Sequence, residues 1–495
     1  MSRIETILVA NRGEIAARVI RGCRKLGRRA VVLYHDVDRD TLPVRLADAA
    51  FRVDGPSPMA AYLSIDDVVA ACRSLGADAV HPGFGFLAEN AALPRRLAAE
   101  GLRFIGPSAA AIAAMGDKIE AKRIARDAGV ATIPGFDGVL QDAAHALHVA
   151  RSIGFPVILK ASAGGGGRGI RIVRDADPAA VRDAFERTTA EAQAAFGDPR
   201  IFVERYVEDP RHIEIQVLAD AHGHVIHLGE RECSIQRRHQ KIVEEAPSPF
   251  VGDALRSAMG SQAVALARAV GYESAGTVEF LVDRASNFYF MEMNTRIQVE
   301  HPVTEMITGV DIVEQQIRIA DGEVLGLAQS DVRWHGHAIE CRLCAEDAER
   351  DFMPATGRLE AFRIPDAEGL RVDAGVGAGD TVGAHFDSLL AKLVAHGATR
   401  EEAIARLASA LDATVALGVA TNGDFLARML RLPAFVAGET TTGFLDRHRE
   451  TLRQPGPAPG EACVALAAAL LTDNTWAGSR FAPPPLLAEI GAWRP

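Results

Sequence analysis

The chain has 495 residues, 48% of them hydrophobic and 24% charged, and its formal net charge is −11. This is the composition of an ordinary globular protein with more than one domain, and the acidic balance argues against a general nucleic-acid binder. The longest apolar run, 463–471, is about half of what a membrane-spanning helix needs, and Glu5 with Asn11-Arg12 interrupts the stretch 7–10 that a signal peptide would keep apolar.

Six cysteines without a disulfide framework fit a reducing compartment, so the cytoplasm is expected, or an organelle matrix after removal of a targeting segment. Cys341 and Cys344 form a lone CxxC, but residues 338–343 read as a strand. Positions i and i+3 of a strand face opposite ways, which disfavours joint metal ligation.

Residues 6–10 read as a buried strand, 14–26 as a helix, 30–34 as a strand, 67–75 as a helix, and 79–81 and 103–105 as short strands. This alternation predicts a doubly wound parallel sheet covered on both faces. The turns Asn11-Arg12-Gly13-Glu14 and 81–86 fall where such sheets line ligand sites, although both also read as plain tight turns. Neither is G-x-G-x-x-G, so no nicotinamide site is assigned. A helical connection is expected over 116–135 and a strand over 156–160. Strands and hairpins follow to about 295, then a helix at 311–320, a strand-rich module at 331–398 and a helix-like segment at 400–417. Beyond 450 the composition shifts: 454–460 reads as a Pro/Gly-rich linker and 465–471 as one short helix.

Four consecutive glycines, Gly164 to Gly167, follow Lys160. Without Cβ atoms their N–H groups can approach phosphate oxygens closely. No Lys-Ser/Thr follows and 170–173 reads as a strand, so the unit is strand, glycine loop, strand. That is a lid over phosphates rather than a P-loop, set against a bland reading as a mobile surface loop.

Residues 276–282 and 288–294 read as a hairpin joined by the turn residues 283–287. Glu292 and Asn294 share a strand face, and Glu279 meets Glu292 if it points the same way. Two carboxylates and an amide carbonyl are hard oxygen ligands suited to Mg²⁺ (or Mn²⁺) held with nucleotide phosphates. Plain surface charge is the competing reading; these strands look central, where unpaired carboxylates are expensive.

Two charge-dense stretches, 230–245 and 294–302, lie between apolar runs without the helical spacing that pairs charges on a surface. Lys241 and Arg296 offer cations for a small anion, and Glu300 beside them offers a base. The residues by themselves reach an ATP-using, Mg²⁺-requiring ligase that handles a small anion.

Taken together, the segments 10–15, 81–90, 115–118, 160–169, 232–245, 292–308 and 340–347 resemble the biotin carboxylases of the ATP-grasp superfamily, in order and with family-like spacing from about residue 4 to 447. The resemblance implies an N-terminal doubly wound α/β domain at 1–115, an ATP-grasp domain at 116–330 with its lid at about 132–204, an antiparallel-sheet domain at 331–450, and a linker or tail at 451–495. It implies that Lys118, Lys160, Glu204 and His212 contact ATP, with Gly165 and Gly166 in the lid, and that Gln236 and His239 line the pocket shared with Arg342 and also touch ATP, His239 being counted among the catalytic residues with Lys241, Arg296, Glu300 and Arg342. Glu279, Glu292 and Asn294 would hold Mg²⁺. Lys241, Arg296, Gln298 and Val299 would bind bicarbonate, the last through its backbone. Glu300 would deprotonate bicarbonate for attack on the γ-phosphate, giving carboxyphosphate, which decomposes to CO2 and phosphate. The phosphate or Glu300 would take the biotin N1′ proton, and Arg342 would stabilise the biotin enolate. Lid closure would exclude water.

The family pattern is broken at a few positions. Arg205 stands where Lys is frequent, Cys344 where Asn is frequent, and Phe84 and Phe386, in the expected biotin pocket with Arg342, where Tyr is frequent. The two Phe residues remove hydroxyls and are expected to weaken free-biotin binding while leaving carrier-bound biotin usable. No Met-Lys-Met biotinylation motif and no carboxyltransferase-sized region occur in the 495 residues. Biotin is therefore expected on a carrier protein or domain, with a carboxyltransferase subunit as further partner and a homodimer or larger complex as assembly. Another ATP-grasp ligase would share the lid and metal carboxylates without requiring Lys241, Glu300 and Arg342 together; a non-catalytic subunit would not need them at all.

Overall fold

Five short strands with apolar, β-branched cores open the chain: β1 (Thr6–Val9), β2 (Arg29–Tyr34), β3 (Ala49–Arg52), β4 (Ala79–His81) and β5 (Arg103–Phe104). All pair in parallel, in the order β3-β2-β1-β4-β5, as the strand–helix alternation predicts. The computed structural model describes residues 3–136, 138–163 and 169–453. The helix Gly13–Lys25 buries Ile15, Val19 and Ile20 against this sheet.

A three-stranded sheet follows, with β6 (Val157–Ala161) between β7 (Ile170–Val173) and β8 (Ile201–Arg205). β6 and β7, the strands on either side of the glycines, pair antiparallel. Gly165 and Gly166 lie outside the described residues.

The largest sheet is antiparallel and eight-stranded. It contains β9 (Arg211–Ala219), β10 (Val225–Arg237), β11 (Gln240–Ala246), β12 (Ser274–Val282), β13 (Phe288–Asn294), β14 (His337–Cys344) and the strands Leu389–Gly397 and Leu370–Ala374. The order is β13-β12-β9-β10-β11-β14, then Leu389–Gly397, then Leu370–Ala374. Position 331 is no break in this layer, because Glu244 on β11 pairs with Glu340 on β14. β13 is an edge strand and not central as its apolar sequence suggests; its free side is partly covered by the bridge from Thr132 to Phe290.

Several helices fall where strands were expected. Pro178–Phe196 starts at Asp177, whose carboxylate accepts from the N–H groups of Ala179 and Ala180, and stops at left-handed Gly197. Asp253–Ala269 is likewise helical, and so is His301–Thr308, for which no element was expected. The first two are Ala-rich, so helix propensity favours both, and the first is also capped at each end by Asp177 and Gly197. The connection near 116–135 is two helices, Ala109–Gly116 and Lys118–Asp127, hinged at Asp117, which caps the second. The segment 400–417 divides into the helix Arg400–Asp412 and the strand Val415–Leu417. The predicted linker at 454–460 and helix at 465–471 lie outside the described residues. Among those described, no helix is long and apolar enough to cross a membrane.

Candidate active site

Strand period places the charges. Residues opposite one another on neighbouring strands share a face, and so do residues two apart along a strand. Across β13, β12, β9 and β10 one row reads Glu292, Glu279, Glu214, Arg231. The row beside it reads Asn294, Thr277, Gln216. Arg231 is fully buried and ties the rows together: its guanidinium donates to Glu214, to Gln216 Oε1 at 2.7 Å, and to Thr277 and Thr304 hydroxyls at 3.0 Å.

Lys241, on β11, points into these rows. Its ammonium donates to Glu214 at 2.6 Å, Glu279 at 3.0 Å and Glu300 at 2.7 Å. Burial alone lowers a lysine's proton affinity, but the three carboxylates outweigh it and hold Lys241 well above its ordinary value. Glu300, buried at the start of the helix His301–Thr308, has its other oxygen 2.9 Å from Arg342 Nη2. Burial pushes the Glu300 carboxyl up, yet Lys241, Arg342 and Arg231 together hold it below the usual carboxylate range. Arg342 on β14 also donates through Nε to Glu244 at 2.7 Å. Burial drives Glu244 up to about 7 against the pull of Arg342.

The anion-binding candidates lie in the following turn. Arg296 donates to Asn294 Oδ1 at 2.8 Å, to Gln298 Oε1 at 3.1 Å and to Glu89 at 2.9 Å. Gln298 Nε2 donates to Glu279 at 2.9 Å. Lys241, Arg296, Gln298, Val299 and Arg342 all line one cavity of about 1100 Å³.

Lys118, Lys160, Glu204, His212, Gln236 and His239 line the same cavity. Lys160 on β6 faces Phe202 across the sheet, and its ammonium is 2.9 Å from Glu204, which also contacts Lys122. Glu204 therefore enters the site as a buried carboxylate between two cations. Gln236 Nε2 is 2.8 Å from His212 Nδ1, and His212 Nε2 is 2.9 Å from Glu279. His239 is exposed at the β10–β11 turn, where Arg238 and His239 both take left-handed φ (+50° and +65°).

The expected metal residues supply oxygen donors on adjacent strands. In this structure the Glu279 carboxylate faces Lys241 and His212, while Glu292 lies 3.5 Å from Lys118. Asn294 turns its Nδ2 to Glu279 and its Oδ1 to Arg296. Two cross-strand carboxylates with an amide oxygen fit a hard divalent cation, and lysine ammonium groups now neutralise the charge such a cation would neutralise.

Phe386 and Phe84 line the cavity too. Phe386 packs beneath Arg12, 4.0 Å from guanidinium to ring centroid, and edge-on to Tyr62 and Phe86. Arg12 pairs with Asp38 at 2.8 Å, and Asp38 accepts from Tyr62 at 2.7 Å. Cys341 is buried and Cys344 half-buried, and both are free thiols.

Sequence reasoning missed Glu214, Arg231, Glu244 and Glu89. A signal existed for the first: His212, Glu214 and Gln216 alternate with Ile213, Ile215 and Val217, so three polar side chains share one face of a strand buried on both sides.

Three family models match. Residues 3–112 match "Biotin carboxylase, N-terminal domain", 117–328 "Carbamoyl-phosphate synthase L chain, ATP binding domain", and 340–447 "Biotin carboxylase C-terminal domain". The chain is 51% identical to the propionyl-CoA carboxylase α chain of Ruegeria pomeroyi, covering 89% of this chain and 67% of that one. It is 52% identical to the human mitochondrial propionyl-CoA carboxylase α chain, again over 89% of this chain but 61% of the relative, so it spans under two thirds of the human protein. Biotin carboxylase 1 of Bacillus subtilis is 47% identical, with 90% of this chain and 99% of that protein covered. Among solved structures, the biotin carboxylase domain dimer of Hydrogenobacter thermophilus 2-oxoglutarate carboxylase, in complex with MgADP, ADP and bicarbonate, superposes with TM-score 0.89 at 46% identity, over 92% of this chain and all of that one. The Campylobacter jejuni biotin carboxylase–β-γ-ATP complex gives 0.87 at 43% identity, over 90% and 99%. With these matches spanning the parallel-sheet, glycine-loop and antiparallel-sheet segments, the chain belongs to the biotin carboxylase family of ATP-grasp enzymes.

Proposed function

We propose that this chain performs the first half reaction of a biotin-dependent carboxylase: ATP- and Mg²⁺-dependent carboxylation of biotin with bicarbonate. The observation that carries the reading is the buried network in which Glu300 pairs with Lys241 and Arg342, two residues that line the same cavity as Glu279 and Lys160. Lys118 and Lys160, which line the cavity, neutralise phosphate charge. Glu279, Glu292 and Asn294 would hold Mg²⁺, which when bound would supply charge neutralisation at the phosphates. Lys241, Arg296, Gln298 and the Val299 N–H position bicarbonate.

Glu300 is held ionised, which is the form a base needs. Bicarbonate arriving at Lys241 and Arg296 brings negative charge beside Glu300 and competes for its cations, and both effects raise its proton affinity. As Glu300 takes the bicarbonate proton, a bicarbonate oxygen bonds to the γ-phosphorus and the bond to ADP breaks. The resulting carboxyphosphate divides into CO2 and phosphate. That phosphate accepts the N1′ proton of biotin as the new N–C bond forms, or Glu300 does so after passing its own proton to the phosphate, and Arg342 stabilises the negative charge that develops on the acceptor. Phe84 and Phe386 contribute the apolar wall against which the acceptor ring lies.

The domains that carry this are proposed at 1–115, 116–330 and 331–450, with 451–495 as a linker or tail. A biotinylated carrier, a carboxyltransferase subunit and a homodimeric arrangement are proposed as partners. The α-chain designation of the propionyl-CoA carboxylase relatives supports an assembly with further subunits, and the Hydrogenobacter biotin carboxylase domain dimer supports the homodimer. The relatives are named for propionyl-CoA, methylcrotonoyl-CoA and pyruvate, so this site serves a step they share. Free thiols at all five described cysteines support a reducing compartment such as the cytoplasm. Oxygen-18 in bicarbonate tests the chemistry: label appears in the released phosphate if bicarbonate attacks the γ-phosphorus, and its absence there contradicts the proposal.

A further inference from the structure

Beneath the turn 298–300 lies a second charged layer that the reaction above does not use. Lys392, on the strand Leu389–Gly397, is fully buried. It stands opposite Arg342 on one neighbouring strand and opposite Asp373 on the other. Its ammonium donates to the Val299 carbonyl at 2.6 Å and lies 3.2 Å from Glu14 and 4.0 Å from Asp373. Glu14 comes from the first turn of the helix Gly13–Lys25, at the other end of the chain. The close approach requires Gly375, where a Cβ would lie 2.4 Å from the Glu14 nitrogen. A buried ammonium is costly unless fixed partners replace its water. Here one of those partners is a backbone carbonyl in the anion-binding turn.

The preceding carbonyl is held in the same way. His301 Nδ1 lies 2.8 Å from the Gln298 oxygen. A carbonyl only accepts, so Nδ1 carries the proton; burial, with Lys392, Arg18 and Arg371 nearby, holds the ring neutral. In a trans peptide the C=O and the next residue's N–H point in opposite directions. Drawing the Gln298 and Val299 carbonyls toward His301 and Lys392 therefore turns the N–H groups of Val299 and Glu300 the other way. Val299 lines the cavity, and the buried Glu300 carboxylate bonds to Lys241 and Arg342, which line it too.

We propose that Lys392, with Glu14 as its counter-ion, is a positioning residue for bicarbonate: it holds the Val299 carbonyl and so aims the Val299–Glu300 peptide and the Glu300 carboxylate at the anion. This rests on the bicarbonate-dependent reading above.

The test is steady-state ATP hydrolysis by the full chain, varying bicarbonate and ATP separately, for wild type, Lys392→Arg, and Lys392→Met combined with Glu14→Gln so that no buried charge is left unpaired. The double variant should lose about 100-fold in kcat/KM for bicarbonate, the scale of a misplaced reacting group, with KM for ATP unchanged. Lys392→Arg keeps the buried charge and should fall between the two. A bicarbonate KM and kcat equal to wild type in either folded variant overturns the inference. So does a parallel loss toward bicarbonate and ATP, the mark of a merely structural role. Should the double variant not fold, Lys392→Arg alone decides by the same criteria. Wild type without bicarbonate dependence would instead overturn the underlying reading, and the inference with it.

Discussion

Lys241 and Glu300 share a 2.7 Å ion pair that also engages Glu214 and Glu279 through the lysine and Arg342 through the glutamate. A base in this position is ionised and waits for an anion to loosen its cations. Glu300→Gln keeps the shape and removes the proposed base. Turnover should fall by about 10²- to 10⁴-fold, the usual range for a general base, while affinity for a non-hydrolysable ATP analogue is retained in calorimetry. Full activity would remove Glu300 from the mechanism.

Glu292 and Glu279 are cross-strand neighbours whose carboxylates face Lys118 and Lys241 respectively. If they share a divalent cation with Asn294, Glu292→Gln should raise the Mg²⁺ concentration for half-maximal activity severalfold. Lys118→Gln, which removes only a neutralising ammonium, should raise KM for ATP instead. An unchanged Mg²⁺ requirement in Glu292→Gln contradicts the assignment.

Glu232 supplies a pH test away from the chemistry. It is buried, accepts from Ser234 and from Ser248 at 2.7 Å, and lies 3.3 Å from Arg211. Burial dominates and pushes its carboxyl up to about 7. The folded protein thus retains a proton that the unfolded chain releases near pH 4.3, and the group's contribution is favourable below that pH and lost as pH rises toward 7. The loss is on the order of 3 kcal/mol. Glu232→Gln does not titrate, so its stability relative to wild type should rise between pH 4.3 and 7 in urea unfolding. A pH-independent difference contradicts the shifted carboxyl.

Phe386 is enclosed by Arg12, Tyr62 and Phe86 and carries no hydroxyl toward the cavity it lines. Phe386→Tyr restores one hydrogen-bonding group, worth about 1 kcal/mol. KM for free biotin should drop about fivefold, with little change for carrier-bound biotin. Unchanged biotin kinetics would show that the missing hydroxyl is not what sets free-biotin affinity.

The strand–helix alternation of the first 105 residues is locally encoded, and the parallel sheet follows it closely. The turn at Asp283 made the pairing of Glu279 with Glu292 legible, because a hairpin brings sequence neighbours together. Glu214 and Arg231 were not legible as partners of Glu279. β9 sits between β12 and β10, and no local pattern announces that strand order. Lys392 was hidden for the same reason: its backbone partner Val299 is 93 residues away and the counter-ion Glu14 comes from the first helix. The helix Pro178–Phe196 was lost to the expectation of hairpins, although Asp177 and Gly197 mark both of its ends.

The most direct test is ATP hydrolysis measured with and without bicarbonate, in the presence of biotin or a biotinylated carrier domain. Hydrolysis that requires bicarbonate and is stimulated by the biotinyl acceptor is the predicted result. Hydrolysis indifferent to bicarbonate would contradict the account.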